Sequence, residues 1–360
     1  MIWIFILGLA GLVAGAELLV RGAGKLALSM GISPLVVGLT VVSFGTSAPE
    51  LAVSLGAVLD GRTDIALGNV VGSNIFNVLF ILGLSALVTP LVVGKQLIRQ
   101  EIPILVGVSL LLIVLGMDGR VSFSDSLFLS GLLFVYTAFV VIQSRRHNAQ
   151  DASTGNAQDL AADGTRGWDS HWIVQLLLIA AGLALLVLGS RGLVSASVAF
   201  AQALGVSDVI IGLTIVAAGT SMPEVATSVM AAIRKESDIA VGNVVGSCVF
   251  NILGCLGIAG LFASAPGLSV APSILNFDAW VMLAAAFACV PVFITGRYIA
   301  RWEGAVFLGY YIAYTAYLIM AAQEYDALEA FSTIMMSFAL PLTIVTVVVV
   351  MIRPGSRRTT

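Results

Sequence analysis

Long apolar runs, separated by short polar stretches, follow one another along nearly the whole chain. A membrane-spanning helix needs roughly 20 consecutive apolar residues, and eleven segments fit that length. They lie near 2–20, 33–59, 65–90, 101–117, 124–143, 172–194, 207–233, 239–263, 276–295, 303–322 and 328–352. The pattern therefore predicts an all-α polytopic membrane protein with ten or eleven transmembrane helices, in which 328–352 is an additional helix at the C-terminal end.

One polar stretch is much longer than the others and divides the chain. Residues 144–171 are rich in Ala, Asp, Gly, Asn and Gln and lack apolar periodicity, so we expect a flexible cytoplasmic linker. The segments 1–143 and 172–322 on either side each hold five of the predicted spans. Because five is odd, the second segment enters the membrane from the opposite side, and the two segments are predicted to be inverted five-helix repeats.

The two segments also share sequence. Within 38–77 the strings GLTVVSFGTSAPELAVS and GNVVGSNIFN stand in order, and within 212–251 they return as GLTIVAAGTSMPEVATS and GNVVGSCVFN. Eleven of 17 positions and eight of ten positions are identical, and both pairs are offset by 174 residues. A duplicated motif inside inverted repeats predicts equivalent helices that meet near the middle of the bilayer.

Composition and charge agree with a membrane protein and give it an orientation. The chain of 360 residues is 59% hydrophobic and 10% charged, with a mean hydropathy of +1.05, whereas soluble domains carry about 25% charged residues. If the N-terminus lies outside, all of the 17 lysines and arginines face the cytoplasm except Arg62, Arg120 and Arg191. We therefore expect a multi-pass protein of the cell (inner or plasma) membrane with a cytoplasmic C-terminus. The chain has no basic patch for nucleic acid, and no obligate protein partner is evident beside the lipid bilayer.

Each copy of the motif places one carboxylate, Glu50 or Glu224, inside an apolar helix. Pro49 has no N–H for the carbonyl of Gly45, so we expect the helix to bend and to leave carbonyl oxygens without helical partners. Pro223 repeats this arrangement in the second copy. An ionisable residue at membrane depth is by default a candidate functional site. Helix packing is the alternative, and two equivalent glutamates in a duplicated TS-x-PE context disfavour it.

Hydroxyl and amide groups accompany each glutamate. Thr46 stands four residues before Glu50 and shares its helix face, and Ser73 and Asn77 have the same spacing on the next span. The candidate metal ligands are Glu50, Thr46, Ser47, Ser73 and Asn77 in the first copy and Glu224, Thr220, Ser221, Ser247 and Asn251 in the second. Such an all-oxygen set suits hard cations such as Ca²⁺ or Na⁺, whereas zinc or copper would favour His or Cys.

These motifs resemble the alpha repeats of the cation/Ca²⁺ exchanger superfamily, in its sodium/calcium exchanger branch, prokaryotic type. The resemblance covers both halves, through GTSAPE with GNVVGSNIFN and GTSMPE with GNVVGSCVFN. It implies a secondary antiporter, not an enzyme, that needs no cofactor and transports Ca²⁺ and Na⁺. It implies that Glu50 and Glu224 are carboxylates shared by both ions, and that the backbone oxygens of Ser43 and Ala217 join the site. The first and sixth spans would be the mobile gating pair.

Other functions stay open at this point. A Ca²⁺/H⁺ antiporter would protonate the same glutamates, but the GNAxE-type motif of that branch is absent. A passive cation channel is a further alternative, which broken helices in inverted repeats disfavour. An intramembrane enzyme would need a motif such as HExxH, which the chain lacks. K⁺-dependent exchangers use an Asp where this chain has Asn77 or Asn251, so the resemblance disfavours K⁺ co-transport.

Overall fold

The computed structural model describes residues 2–153, 171–203, 217–294, 296–323 and 327–352, and these residues are mostly helical. The helices are α1 Ile2–Met30, α2 Pro34–Thr46, α3 Ala48–Leu59, α4 Thr63–Val88, α5 Leu97–Gly116, α6 Phe123–Ser153, α7 Trp172–Ala203, α8 Ala217–Gly219, α9 Met222–Ile233, α10 Ser237–Leu261, α11 Ile274–Ile294 and α12 Arg301–Ala322. A last helical stretch, α13, joins Ala327–Ile334, Met335–Ala339 and Leu340–Ile352.

The helix lengths agree with a polytopic membrane protein. Within the described residues, α1, α4, α5, α6, α7, α10, α11 and α12 are each long and apolar enough to cross a bilayer. The helices α2 and α3 together make a ninth candidate, bent by 44°. The predicted span near 207–233 is described from residue 217 onward, because 204–216 lie outside the described residues. In α13 the apolar part Phe331–Thr346 is shorter than a full span, so the eleventh crossing stays a prediction.

The predicted linker lies largely outside the described residues, which omit 154–170. At its N-terminal side the chain is still helical, because α6 continues to Ser153, past the predicted start of the linker at residue 144. Polar composition alone did not indicate this extension of the helix.

Helices α1 and α7 cross each other closely at equally spaced glycines. A Cβ atom built on Gly8 would lie 2.8 Å from the carbonyl oxygen of Gly189, and one on Gly15 would lie 2.8 Å from that of Gly182. Gly182 and Gly189 are the residues that the 174-residue offset assigns to Gly8 and Gly15. The contacts therefore join equivalent helices that run in opposite directions, as inverted repeats require.

Two short antiparallel ribbons connect the halves. Strand β1 (Leu91–Val92) pairs with β4 (Tyr298–Ile299), and β2 (Arg120–Val121) pairs with β3 (Leu268–Ser269). Each ribbon takes one strand from the first half and one from the second. The loops of the two repeats thereby hold each other at two separate places.

Helices α4 and α10 are the most buried of the long helices, while α1, α6 and α12 expose most of their surface. Glycines of the second GNVVGS motif permit this central position. A Cβ on Gly242 would lie 2.9 Å from the carbonyl oxygen of Leu35, and one on Gly246 would lie 2.7 Å from the Cα of Leu39. Only glycine therefore lets α10 approach the backbone of α2 so closely.

Two further acids, the buried Glu101 and the partly buried Asp278, lie away from this centre. The hydroxyl of Tyr136 on α6 donates to Oε2 of Glu101 on α5 at 2.9 Å, and that of Tyr314 on α12 donates to Oδ1 of Asp278 on α11 at 2.8 Å. Each bond joins the fourth helix of a repeat to its fifth. The sequence analysis did not single out Glu101, because one acid near a helix end carries no special pattern.

Candidate functional site

Within the described residues, a break in the helix precedes each of the two prolines, as the sequence predicts. Ser47, with φ −83° and ψ 8°, separates α2 from α3, and Ser221, with φ −87° and ψ 10°, precedes α9. Pro49 and Pro223 occupy the first turn of α3 and α9, where a missing N–H costs little. Each break therefore places a glutamate in the first turn of a new helix, where the helix dipole favours a negative charge.

Each glutamate is held by a serine from the other repeat. The hydroxyl of Ser47 donates to Oε1 of Glu224 at 2.8 Å, and the hydroxyl of Ser221 donates to Oε1 of Glu50 at 2.7 Å. The Ser221 hydroxyl also lies 3.5 Å from that of Ser73. These side chains are almost completely buried. The sequence motif predicted that the groups lie near one another, and the structure shows that they cross between repeats.

Two asparagines that the sequence analysis did not select brace the breaks. Nδ2 of Asn69 donates to the carbonyl oxygen of Glu50 at 3.2 Å and to Oγ of Ser54 at 3.0 Å. Asn243 does the same in the second copy, with 2.9 Å to Oγ of Ser228 and 3.5 Å to the carbonyl oxygen of the second glutamate. The recurrence of the GN pair in both motifs was the signal that could have identified them.

The first-copy and second-copy threonines differ in their bonding. The hydroxyl of Thr46 donates to Oδ1 of Asn243 at 3.1 Å, whereas that of Thr220 has no hydrogen-bond partner among the described residues. The carbonyl oxygen of Ser43 accepts the N–H of Ser47 at 3.0 Å and lies 3.4 Å from the Thr46 hydroxyl. Ala217, predicted as a backbone ligand, is the first residue of α8.

The other four candidates lie on α4 and α10. Asn77 and Asn251 stand in π-helical segments of these helices, at Phe76–Leu82 and Asn251–Leu256, and Ser73 and Ser247 lie in the α-helical parts just before them. Such segments are frequent at functional sites.

Several buried side-chain oxygens of the candidate residues lack any hydrogen-bond partner within the described structure. They are Glu50 Oε2, Glu224 Oε2, Asn77 Oδ1, Thr220 Oγ1 and Ser247 Oγ. Burying a polar atom without a partner is costly, and a cation would supply the missing interaction.

Asn77 and Asn251, the two asparagines predicted as equivalent ligands, differ in their hydrogen bonding. Nδ2 of Asn74 donates to the carbonyl oxygen of Cys248 at 3.1 Å, so Oδ1 of Asn74 is left to accept Nδ2 of Asn251, also at 3.1 Å. The thiol of Cys255 lies 3.5 Å from Oδ1 of Asn251. Within the part of the chain that the structure describes, neither the side-chain nitrogen nor the side-chain oxygen of Asn77 has a hydrogen bond. The symmetry of the motif is therefore broken where Cys248 replaces the counterpart of Asn74.

Comparison with known proteins identifies this arrangement. A sequence profile of the sodium/calcium exchanger protein family matches residues 1–142 and 174–320, which is most of the chain. The chain belongs to the sodium/calcium exchanger family. The matched residues include both motifs and both glutamates.

Two relatives and one solved structure cover most of this exchanger. Sodium/calcium exchanger MaX1 of Methanosarcina acetivorans is 33% identical over 346 residues, covering 88% of this chain and 97% of the relative. Inner membrane protein YrbG of Escherichia coli is 38% identical over 280 residues, with 78% and 84% covered. The solved structure of the sodium-calcium exchanger NCX_Mj, soaked with Na⁺ and Ca²⁺, matches with a TM-score of 0.74 and 31% identity, covering 88% of this chain and 97% of that one.

The likeness supports cation/Ca²⁺ exchange by this member of the family. It also agrees with the mostly helical, multi-pass membrane protein that the sequence predicts.

Proposed function

We propose that this protein is a secondary antiporter that exchanges Na⁺ for Ca²⁺ by alternating access, and that it expels Ca²⁺ as Na⁺ enters. The observation that carries the proposal is the crossed pair of glutamates. Each has one carboxylate oxygen held by a serine of the opposite repeat and one buried oxygen without a hydrogen-bond partner among the described residues. Two carboxylates from two different repeats can neutralise one Ca²⁺, and carboxylate and hydroxyl oxygens are the ligands that it prefers.

The proposed ion site consists of the two glutamates and the neutral oxygens around them. The side-chain oxygens that bind the ion come from both repeats. The first repeat contributes Glu50, Ser73 and Asn77, and the second contributes Glu224, Thr220 and Ser247. The remaining predicted ligands would either bind the ion through a second lone pair on their oxygen or orient the other ligands. They are Thr46, Ser47, Ser221, Asn251, Ser43 and Ala217. Two acids rather than three make K⁺ co-transport unfavourable in this proposal.

The burial of the carboxylates explains why transport would be coupled. An ionised acid at the bilayer centre costs about 3 kcal/mol on insertion scales, and Glu50 and Glu224 are both fully buried. The site therefore crosses between its two access states more readily when it carries cations than when it is empty. An exchanger needs this bias, because it must return loaded with the second ion.

The proposed orientation follows from charge. With the N-terminus outside, the basic residues concentrate on the cytoplasmic side. The protein would then lie in the cell membrane with Na⁺ entering from outside, down its usual gradient, and Ca²⁺ leaving.

The test is Ca²⁺ uptake into proteoliposomes loaded with Na⁺ and diluted into Na⁺-free buffer. We expect uptake of ⁴⁵Ca²⁺ that requires the Na⁺ gradient and that is lost in Glu50→Gln and in Glu224→Gln. The matched control is Glu101→Gln, because Glu101 is also a fully buried carboxylate in a membrane helix but lies away from the site. This variant should keep Na⁺-driven uptake.

Each rival predicts a different result in the same vesicles. Uptake that a pH gradient drives without Na⁺ would establish Ca²⁺/H⁺ antiport instead. Ca²⁺ flux that needs no counter-ion would indicate a channel. Unchanged uptake in both glutamine variants would show that the carboxylates of Glu50 and Glu224 are not the ion ligands.

A further inference from the structure

An ion pair outside the cation site joins α1 to the end of α9. Nε of Arg234 donates to Oε2 of Glu17 at 2.7 Å, and Nη2 of the same guanidinium contacts the other carboxylate oxygen. Such a two-point contact between guanidinium and carboxylate fixes orientation as well as distance. Arg234 directly follows the last residue of α9. The pair therefore ties α1 to the half-helix that carries Glu224.

The repeat contains a second pair with the charges exchanged. The 174-residue offset assigns Glu17 to Arg191 on α7, and it assigns Arg234 to Asp60, which directly follows α3. In the first pair, the acid lies on the first helix of one repeat and the base follows the broken helix of the other repeat. In the second pair, the base lies on the first helix and the acid follows the broken helix. Because the repeats are inverted, the second pair belongs to the opposite face of the membrane.

The backbone supports this equivalence. Gly61 and Lys235, the next residues, both adopt left-handed conformations, with φ of 76° and 63°. Asp60 and Arg234 therefore stand at the same point of the same turn. Asp60 lies 3.6 Å from Arg62 in an exposed ion pair, and the counterpart of Arg62 is Glu236, so the charge is exchanged there as well.

The two faces are packed differently in this structure. Helix α9 packs against both α1 and α7, whereas α3, its equivalent, makes no comparable contact with either helix within the described residues. Arg191 is exposed, and no ion pair of Arg191 is seen in the described part of the chain. The pair Glu17–Arg234 is therefore formed where α9 packs against α1 and α7. Its counterpart, Arg191–Asp60, is not formed at α3, which does not pack against them in this way.

We propose that Glu17, Arg234, Asp60 and Arg191 are positioning residues for the exchange reaction. The pair Glu17–Arg234 holds α1 and α7 against α9, and the pair Arg191–Asp60 holds them against α3 when the cation site opens to the other face. Inverted repeats make this possible, because exchanging the roles of the two repeats generates the second access state from the first. Each pair lowers the free energy of one state only, so each shifts the population between them.

The inference rests on the proposed function in one respect, since the site must open to the two faces in turn. It does not depend on which ion drives transport.

A cross-link between the unformed partners tests the proposal. The double variant D60C/R191C is treated with a short bis-methanethiosulfonate reagent, which joins two thiols through disulfide bonds that a reductant can cleave. The three native cysteines are buried and should give little background. We expect cross-linking to become several-fold faster when Arg234→Gln is added, because the competing pair is gone. The control Asp118→Asn removes another exposed ion pair, Asp118–Arg120 at 3.6 Å, and should leave the rate unchanged.

Two further measurements exclude a general loss of structure. The charge-swapped variant E17R/R234E, combined with D60C/R191C, should return the cross-linking rate to that of the parent. The cross-link itself should stop ⁴⁵Ca²⁺ uptake, and reduction should restore it. If D60C/R191C does not cross-link, or if Arg234→Gln leaves the rate unchanged, the inference is wrong. Because cross-linking needs no ion gradient, this outcome is separate from a failure of Na⁺-driven uptake, which would overturn the proposed function alone.

Discussion

At the scale of single residues, the candidate site is completed by hydrogen bonds between repeats. Ser47 holds Glu224 and Ser221 holds Glu50, so neither repeat could orient its own carboxylate alone. A hydroxyl that fixes one oxygen of a carboxylate leaves the other oriented for a ligand, which reduces the entropy lost on binding. Asn74 then makes the two halves unequal, because it accepts a hydrogen bond from Asn251 while no described residue forms one with Asn77.

This inequality predicts different effects for two matched truncations. Asn251→Ala leaves Oδ1 of Asn74 buried without its donor, which costs about 1–3 kcal/mol. Asn77→Ala removes the same atoms but leaves no protein group unpaired. We therefore expect the ion-free protein to melt at a lower temperature with Asn251→Ala than with Asn77→Ala. The measurement is thermal unfolding of both variants in detergent without Ca²⁺ or Na⁺.

Ca²⁺ affinity should separate the same variants in the opposite sense. Asn77→Ala removes an oxygen proposed to bind the ion. We therefore expect the apparent Ca²⁺ affinity to fall more in Asn77→Ala than in Asn251→Ala. Equal melting temperatures for the two variants would contradict the hydrogen-bond network around Asn74.

At the scale of elements, close helix contacts at glycines determine how the halves fit together. Helices α1 and α7 touch through backbone atoms at Gly8, Gly15, Gly182 and Gly189. In membranes such contacts depend on van der Waals packing, because lipid tails compete equally for larger apolar side chains. A pair of helices packed in this way can act as one rigid unit beside α9.

An added methyl group tests the contact between α1 and α7. In Gly182→Ala the new Cβ would lie 2.7 Å from the backbone nitrogen of Leu19 and 2.8 Å from the carbonyl oxygen of Gly15. Backbone atoms cannot move aside cheaply, so the helices must separate, at about 1–3 kcal/mol for overpacking. We expect a lower melting temperature and slower Ca²⁺ uptake.

Gly107→Ala is the control for this change. Gly107 lies in α5, and a Cβ there would meet no atom within 4 Å. Both properties should stay near those of the parent protein. If Gly182→Ala were equally neutral, the close approach of α1 and α7 would not exist in the membrane.

At the scale of the whole molecule, the predicted inverted repeats give the protein two comparable faces, and the charge distribution makes those faces different. Equivalent helices run in opposite directions, and one ribbon of strands binds the halves together at each of two places. The basic residues are distributed unequally between the faces in the orientation proposed. That asymmetry, rather than the fold, would decide which face lies in the cytoplasm.

Labelling from outside the cell tests this orientation. Lys95 and Asp118 are exposed residues at opposite ends of α5. With the N-terminus outside, a membrane-impermeant maleimide on intact cells should label Asp118→Cys and should not label Lys95→Cys. Both should be labelled after the cells are opened. The reverse pattern on intact cells would place the N-terminus in the cytoplasm.

The sequence by itself determined the membrane class, the duplication, the broken helices and the choice of Glu50 and Glu224 as candidates. These are local properties, since span length, a proline beside a glutamate and a repeated motif can each be recognised within a short window of residues. Only the tertiary structure decided which oxygens are left free, why Asn77 and Asn251 differ, and that Glu17 binds Arg234. Those features depend on contacts between side chains about 170 to 220 positions apart. Helix periodicity predicts which face of a helix a residue occupies, but which atom it meets there depends on how two whole repeats pack.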